Sequence, residues 1–305
     1  MKQEYVVADS EAGIRIDKYL SSVCPELSRA FLQKLLKSEQ IAVDGSPVKS
    51  SYKVTTGNTI SLDVPDTVEP EIHPEELPLD ILYEDQDILL INKPKGMVVH
   101  PAAGHYSGTL VNGLMYHCGD ELSHINGVLR PGIVHRIDMD TTGIVIVCKN
   151  DFAHSNIAEQ LKVHSITRKY IAIVHGIIKE DAGTIDEPIG RHSVDRKKMS
   201  INYKNGKHAV THYKVLERFR QYTYVECQLE TGRTHQIRVH MASIGHPLLG
   251  DSVYGPSKCP YSLQGQTLHA GVLGIKHPRT GAYMEFLAPL PEYFKELLKK
   301  LSNTV

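Results

Sequence analysis

Residues 135–150 read HRIDMDTTGIVIVCKN. A cluster of polar side chains, His135, Arg136, Asp138, Asp140, Thr141 and Thr142, runs through Gly143 into an almost unbroken run of β-branched residues. Such a run is the pattern of a strand buried on both faces. A carboxylate at the lip of that strand is held still, as a nucleophile or acid–base group must be. The same residues also fit a plain turn whose Asp and Thr side chains satisfy nearby backbone groups.

Working outward, other short apolar runs surround this strand. ILYEDQDILLINKP (81–94) carries two of them, and ITRKYIAIVHG (166–176), AVTHYKVLERF (209–219), YTYVECQLE (222–230) and THQIRVHMA (234–242) each read as a further strand. NIAEQLKVH (156–164) has helical spacing. Strands in series with occasional helices predict an α+β fold on a mixed, mainly antiparallel sheet. Near the N-terminus, a helical stretch around Asp17–Val23 is followed by Ser28, a capping residue, and RAFLQKLLKS (29–38), with Phe31, Leu32, Leu35 and Leu36 at helical spacing. Short strands joined by the Asp44–Gly45 and Gly57–Asn58 turns come next, making residues 13–62 a small α/β module. Residues 63–78 are acidic and proline-rich and read as an extended spacer. The large domain is expected over 79–295, with a C-terminal tail at 296–305.

The 305 residues carry a net charge of −1, so the chain is not a uniformly basic nucleic-acid binder. The charge is segregated, however. Residues 63–80 hold seven acids and no Lys or Arg, whereas residues 13–60 hold seven basic and four acidic side chains. Arg29, Lys34 and Lys37 share one predicted helix, an arrangement suited to gripping an RNA backbone. In the large domain, GRHSVDRKKMSINYKNGKHA (190–209) gathers Arg191, Arg196, Lys197 and Lys198 in a segment that reads either as a phosphate-contacting arm or as a charged, soluble hairpin. Five cysteines at irregular spacing form no C-x-x-C pair, and the histidines lie in separate motifs, so neither a disulfide framework nor a metal site is expected. No nucleotide-cofactor fingerprint, signal peptide or membrane-spanning run is present, and the chain reads as a reduced, cytoplasmic protein that needs no cofactor.

Two further segments hold candidate chemistry. In THQIRVH, strand alternation would put Thr234, Gln236, Arg238 and His240 on one face, with Arg238 offering donors to a carboxylate or phosphate. The alternative is an amphipathic strand with a solvated polar face. In ITRKYIAIV, Tyr170 follows Arg168 and Lys169 and could stack on a nucleobase or simply fill the core.

Taken in order, NKPKGMVVHPAAGHYSGTLVNGL, HRIDMDTTG, RKYIAIVHG, GRTHQIRVHMASIGHPLLGDSVYG and LHAGVLGIKHP closely resemble the RluA family of pseudouridine synthases over nearly all of residues 79–295. Residues 13–62 resemble the RNA-binding module named after ribosomal protein S-four. The resemblance implies that Asp138 is the catalytic aspartate, that Arg136 displaces the target uridine or fills its place, that Tyr170 packs on the flipped uracil, and that Arg238 pairs with Asp138. Ile137 and Thr142, where many members have Leu and Ser, are conservative departures. It also implies action on large-subunit ribosomal RNA or a pre-ribosomal particle; the chain is expected to act as a monomer. The reaction breaks the bond between uracil nitrogen and sugar and rejoins the base through carbon five, so nothing is oxidised or added. A carboxylate can serve this chemistry as a nucleophile or by removing a sugar proton. A non-catalytic RNA-binding assembly factor and a nucleoside hydrolase are the rival readings. The intact HRID run with Arg238 speaks against the first, and the RNA-binding module and basic segment against the second.

Overall fold

The computed structural model describes residues 2–64, 72–102, 104–127, 130–195 and 198–303. The chain divides into two compact units, 1–71 and 72–305. None of the described helices is long and apolar enough to cross a membrane.

In the first unit, β1 (Lys2–Val6) is followed by α1 (Ile16–Val23), α2 (Arg29–Lys37), β2 (Ile41–Val43), β3 (Ser46–Pro47) and β4 (Thr59–Asp63). The strands form one antiparallel sheet in the order β1-β4-β2-β3. Ser28 caps α2 by accepting the Phe31 amide at 3.2 Å. Its apolar positions, Leu32, Leu35 and Leu36, pack with Ile16 and Leu20 of α1 and with Ile41, Ile60 and Leu62 of the sheet. The two-residue turn between β2 and β3 puts both Asp44 and Gly45 at positive φ, the conformation that a tight hairpin requires. The sheet also begins earlier than residue 13: β1 pairs with β4 from Lys2↔Asp63 to Val6↔Thr59. KQEYV buries no residue fully, so it carries no apolar signal of its own. Asp17, fully buried, accepts from Arg15, Arg29 and Gln33. Burial pushes its pKa up, but these donors outweigh it and hold the carboxyl well below the usual range. Asp17 thereby fixes Arg29 at the surface, while Lys34 and Lys37 are exposed on the same helix.

In the second unit the elements are β5 (Ile81–Glu84), β6 (Ile88–Lys93), α3 (Leu110–Cys118), β7 (Thr142–Cys148), α4 (Asp151–Lys162), β8 (Thr167–His175), β9 (Ala182–Asp186), β10 (Ile189–Arg191), β11 (Met199–Ile201), β12 (Val210–Arg218), β13 (Tyr222–Leu229), α5 (Gln236–Ser243), β14 (Leu268–Lys276), β15 (Tyr283–Leu287) and α6 (Glu292–Ser302). The main sheet runs β5-β6-β7-β14-β8-β13-β12-β9, with β15 also on β14. Its pairings are antiparallel except for β7 with β14. Alternation along β6 and β7 explains their continuous apolar runs. Leu89, Ile91, Val145 and Val147 face α3, while Ile88, Leu90, Ile144 and Ile146 face α4. At the mouth of β7, Gly143 has φ +105° and lies so close to β14 that a Cβ would collide with the Ala270 carbonyl. The polar loop before β7 is thus tied to the middle of the sheet.

Three expectations are corrected. THQIRVH is not a strand: His235 takes a left-handed conformation and α5 follows it. Residues 236–241 are all buried, so apolar periodicity could not separate period 2 from 3.6. Arg238 and His240 consequently point to different surroundings, His240 meeting the Thr211 hydroxyl and the Glu187 carbonyl. Of the expected spacer, residues 65–71 lie outside the described residues, while Ile72 joins the core and Asn112 donates to the His73 carbonyl. Glu75 in turn accepts the Gly108 amide. The expected tail is most of α6, whose Phe294, Leu297 and Leu301 pack on Ile173, Phe219, Tyr222 and Leu249. Phe294 is fully buried there, so Phe294→Ala is expected to destabilise this unit by about 3–5 kcal/mol. An earlier urea midpoint at unchanged slope measures it; an unchanged midpoint would mean that α6 does not dock.

Candidate active site

Residues 135–141 form a loop pinned at several points. His135 Nε2 accepts the Ile146 amide of β7 at 3.0 Å. Burial, with Arg168 adding to it, pulls this imidazole down to about 4, so it stays a neutral acceptor near pH 7. Two residues on, Ile137 is buried in the core. Beneath Met139 lies Lys93, fully buried at the end of β6. Its Nζ donates to the carbonyls of Pro94 (2.8 Å), Met97 (2.9 Å) and Met139 (2.9 Å). Three acceptors call for three N–H donors, which an ammonium supplies and an amine does not. Burial pulls Lys93 down to about 7, with Asp140 and Asp138 opposing the shift. The Gly96 amide also donates to the Met139 carbonyl, so the NKPKG segment cradles the loop from below. In the sequence the signal for this role is a lysine at the end of an apolar strand.

What emerges at the top is Asp138, its side chain 27% exposed. Arg238 Nη1 donates to its Oδ2 at 2.8 Å. The rest of the guanidinium grips Asp251 in a fork, Nε to Oδ2 at 2.7 Å and Nη2 to Oδ1 at 2.9 Å. Asp251 is fully buried and also accepts the amides of Val253 and Tyr254. Burial works against the Arg238 charge, but Asp251 and then Asp138 outweigh it and raise its pKa. Tyr254 lies 5.1 Å from the guanidinium, hydrogen-bonds His235 Nδ1 at 2.7 Å and accepts the Met199 amide of β11. The other nitrogen of His235 stands 3.7 Å from Asp138 Oδ1. Asp251 was not singled out from the sequence, because one Asp in a turn-rich segment looks like many others.

Asp138, Arg136, Tyr170 and Arg238 all line one cavity of about 710 Å³. Tyr170, 9% exposed, projects from β8 on the same face as Arg168, whereas Lys169 points the other way, to Glu226. Arg136 is exposed at the rim, its Nη1 3.5 Å from His100 Nε2. Burial, with Arg130 and Arg136 adding to it, pulls His100 down to about 4, leaving it a neutral acceptor. The other candidates lie elsewhere. Arg29, Lys34 and Lys37 belong to the first unit, and Arg191 and Lys198 to the β10–β11 hairpin. Arg196 and Lys197 lie outside the described residues. Among the described residues, two groups have potential metal donors within 4.8 Å of one another, Glu84–His117–Cys118 and Asp85–Asp87–His277. In the second, Asp87 is forked onto Arg279 and Asp85 accepts from His277, and neither group lines the cavity.

The strand end thus offers an Arg-paired carboxylate to a cavity that is rich in arginine and lined by Tyr170. Residues 87–243 match the RNA pseudouridylate synthase family and residues 14–60 the S4 domain. The chain belongs to that synthase family and is an RNA pseudouridine synthase, an isomerase, with an N-terminal S4 domain. It is 55% identical over 298 residues to a Bacillus subtilis protein named as an uncharacterized RNA pseudouridine synthase, YlyB, covering 98% of this chain and 97% of that one. It is 44% identical to the ribosomal large subunit pseudouridine synthase D of Zymomonas mobilis, covering 98% of this chain and 97% of that one. With the Pseudomonas aeruginosa protein of the same name the identity is 46%, over 95% and 92% of the two chains. Among solved structures, human RNA pseudouridylate synthase domain containing 1 superposes with a TM-score of 0.58 at 26% identity, covering 75% of this chain and 97% of that one.

Because Asp251 orients Arg238, Asp251→Asn should lower kcat for pseudouridine formation by one to two orders of magnitude, about 1.4 kcal/mol of barrier per factor of ten. RNA affinity should change little. Wild-type kcat in this variant would show that Arg238 is positioned without it.

Proposed function

We propose that this chain isomerises uridines of large-subunit ribosomal RNA, with Asp138 as the catalytic carboxylate. The observation that carries the reading is the Arg238–Asp138 pair at the cavity wall, with Tyr170 and Arg136 beside it. A uridine stacked in a helix cannot reach Asp138, so the nucleotide must turn out into the cavity. Unstacking costs about a few kcal/mol, which base stacking on Tyr170 and insertion of Arg136 into the vacated space offset. Arg238 holds one carboxylate oxygen and leaves Oδ1 for the reacting sugar, whether Asp138 attacks carbon or removes a proton. No atom enters or leaves in the net reaction, so the site calls for no cofactor. The names of the Zymomonas and Pseudomonas relatives support the large ribosomal subunit as the source of the substrate. In this reading the enzyme works as a monomer, on an assembling ribosome in the cytoplasm.

The S4 domain and the β10–β11 hairpin supply the wider grip in this reading. Arg29, Lys34 and Lys37 contact phosphates from one helix, and Arg191, Arg196, Lys197 and Lys198 do so from the basic segment 190–209. Two tethered surfaces raise the effective concentration of the second contact once the first is made.

Pseudouridine mapping of 23S-type RNA treated with wild-type protein and with Asp138→Asn tests the reaction. New pseudouridines are expected from the wild type alone, with RNA binding retained in the variant; full activity of the variant would reject Asp138. Replacing Lys34 and Lys37 with Gln should weaken RNA binding and flatten the slope of log Kd against log salt by about 0.7–0.9 per lost phosphate contact. An unchanged slope would remove that helix from the RNA interface.

A further inference from the structure

Arg168 stands apart from the other cations of the cavity. It is 6% exposed yet lines the cavity, at the start of β8 and two residues before Tyr170. Its Nη2 donates to the Glu230 carbonyl at 2.9 Å, but its buried Nε has no hydrogen-bond partner. Nη1 lies over Gly232, where an added Cβ would come within 2.6 Å of it. Beside it is Arg233, whose Nε donates to the His208 carbonyl. Among the described residues lining the cavity, the sole acid is Asp138, and Arg238 already engages it. Burial lowers the Arg168 pKa, Tyr170 opposing the shift and Arg233 adding to it, and among the described residues no carboxylate pairs with either arginine.

We propose that Arg168, with Arg233 beside it, forms a phosphate subsite that takes a phosphodiester flanking the target uridine while the base lies against Tyr170. The proposal rests on RNA being the substrate. A buried cation without a counter-ion is costly, and an arriving anion relieves that cost where a neutral carbonyl would not. The planar fork of a guanidinium matches phosphate oxygens. Arg168 and Tyr170 are same-face neighbours on one strand, about 6–7 Å apart, a span that one nucleotide can cover from base to phosphate. Gly232 gives the guanidinium room to lie where it does, because a side chain there would press on Nη1.

The competing role is purely structural, with Arg168 bracing the end of β13 through Glu230. The test uses the full chain and in vitro transcribed large-subunit RNA, reading both pseudouridine formation and binding across a KCl series. Arg168→Gln should raise KM about tenfold, the worth of one charge-assisted contact, with a smaller effect on kcat. The slope of log Kd against log salt should flatten by about 0.7. Arg168→Lys should restore the slope and most of KM. Gly232→Ala keeps every charge and displaces the guanidinium, so it should raise KM while its melting temperature stays at the wild-type value. This variant carries the test should Arg168→Gln fail to fold. Wild-type KM and salt slope in both Arg168→Gln and Gly232→Ala would overturn the proposal. So would a raised KM with an unchanged slope, which would assign the contact to an uncharged part of the nucleotide. If the wild type forms no pseudouridine in this RNA, the substrate reading fails, whereas the salt slope of binding still decides the subsite.

Discussion

The guanidinium of Arg238 lies between two carboxylates, and the geometry of the cavity follows from that arrangement. A buried cation is expensive unless it is paired and fully hydrogen-bonded. Asp251 supplies a permanent partner in a two-bonded fork, is itself fully buried, and also accepts the Val253 and Tyr254 amides on Oδ1. One Nη1 donor is left for Asp138, which can be oriented without being sealed off. If Asp138 were the only partner, the same oxygen would have to neutralise the arginine and face the substrate. Dividing those duties between two acids lets one stay structural.

The opposite side of Asp138 is governed by Lys93. A loop of seven residues at a strand mouth would ordinarily be mobile, since its backbone groups have water as an alternative partner. Here a buried ammonium gathers three carbonyls, one of them from the residue after Asp138, and a neutral His135 accepts an amide from β7. Both devices use charge or lone pairs inside a packed core, where such bonds are strong and where losing them is costly. The sheet underneath is covered on both faces by α3 and α4, so the platform has no soft side on which the loop could relax. Rigid support of this kind is what a reaction dependent on placing a carboxylate against one sugar needs.

The charge distribution separates two tasks. Positive side chains crowd the cavity and its rim, while the fully buried acids among the described residues are taken up in pairs: Asp251 with Arg238, Asp87 with Arg279, and Asp17 with Arg15 and Arg29 in the other unit. The near-neutral total therefore coexists with a cavity whose described lining has a clear excess of cations. Net charge describes how the molecule behaves at long range; local pairing decides what its site will accept.

Much of this was legible in the chain. The unbroken apolar run after Gly143 announced a strand buried on both sides, and Ser28 with the spacing of Leu32, Leu35 and Leu36 announced α2. The family resemblance carried by the HRID, RKY and HQIR motifs, rather than any local pattern, pointed to Asp138, Tyr170 and Arg238 as residues of one site. Tertiary structure decided the rest. THQIRVH is buried all round, so alternation along it carried no information and only packing made it a helix. The last turns of the chain became α6 because the sheet left an apolar face for Phe294 and Leu297 to cover. Asp251, Lys93, His100 and Arg168 acquire meaning only from partners distant in sequence: a carboxylate forked onto an arginine, an ammonium among three carbonyls, a neutral imidazole beside a rim arginine, and a guanidinium with one nitrogen unmatched. Local sequence sets which backbone conformations are cheap, and periodicity sets which face turns inward. Which buried charge finds which partner depends on contacts across the fold, and no run of neighbouring residues encodes those.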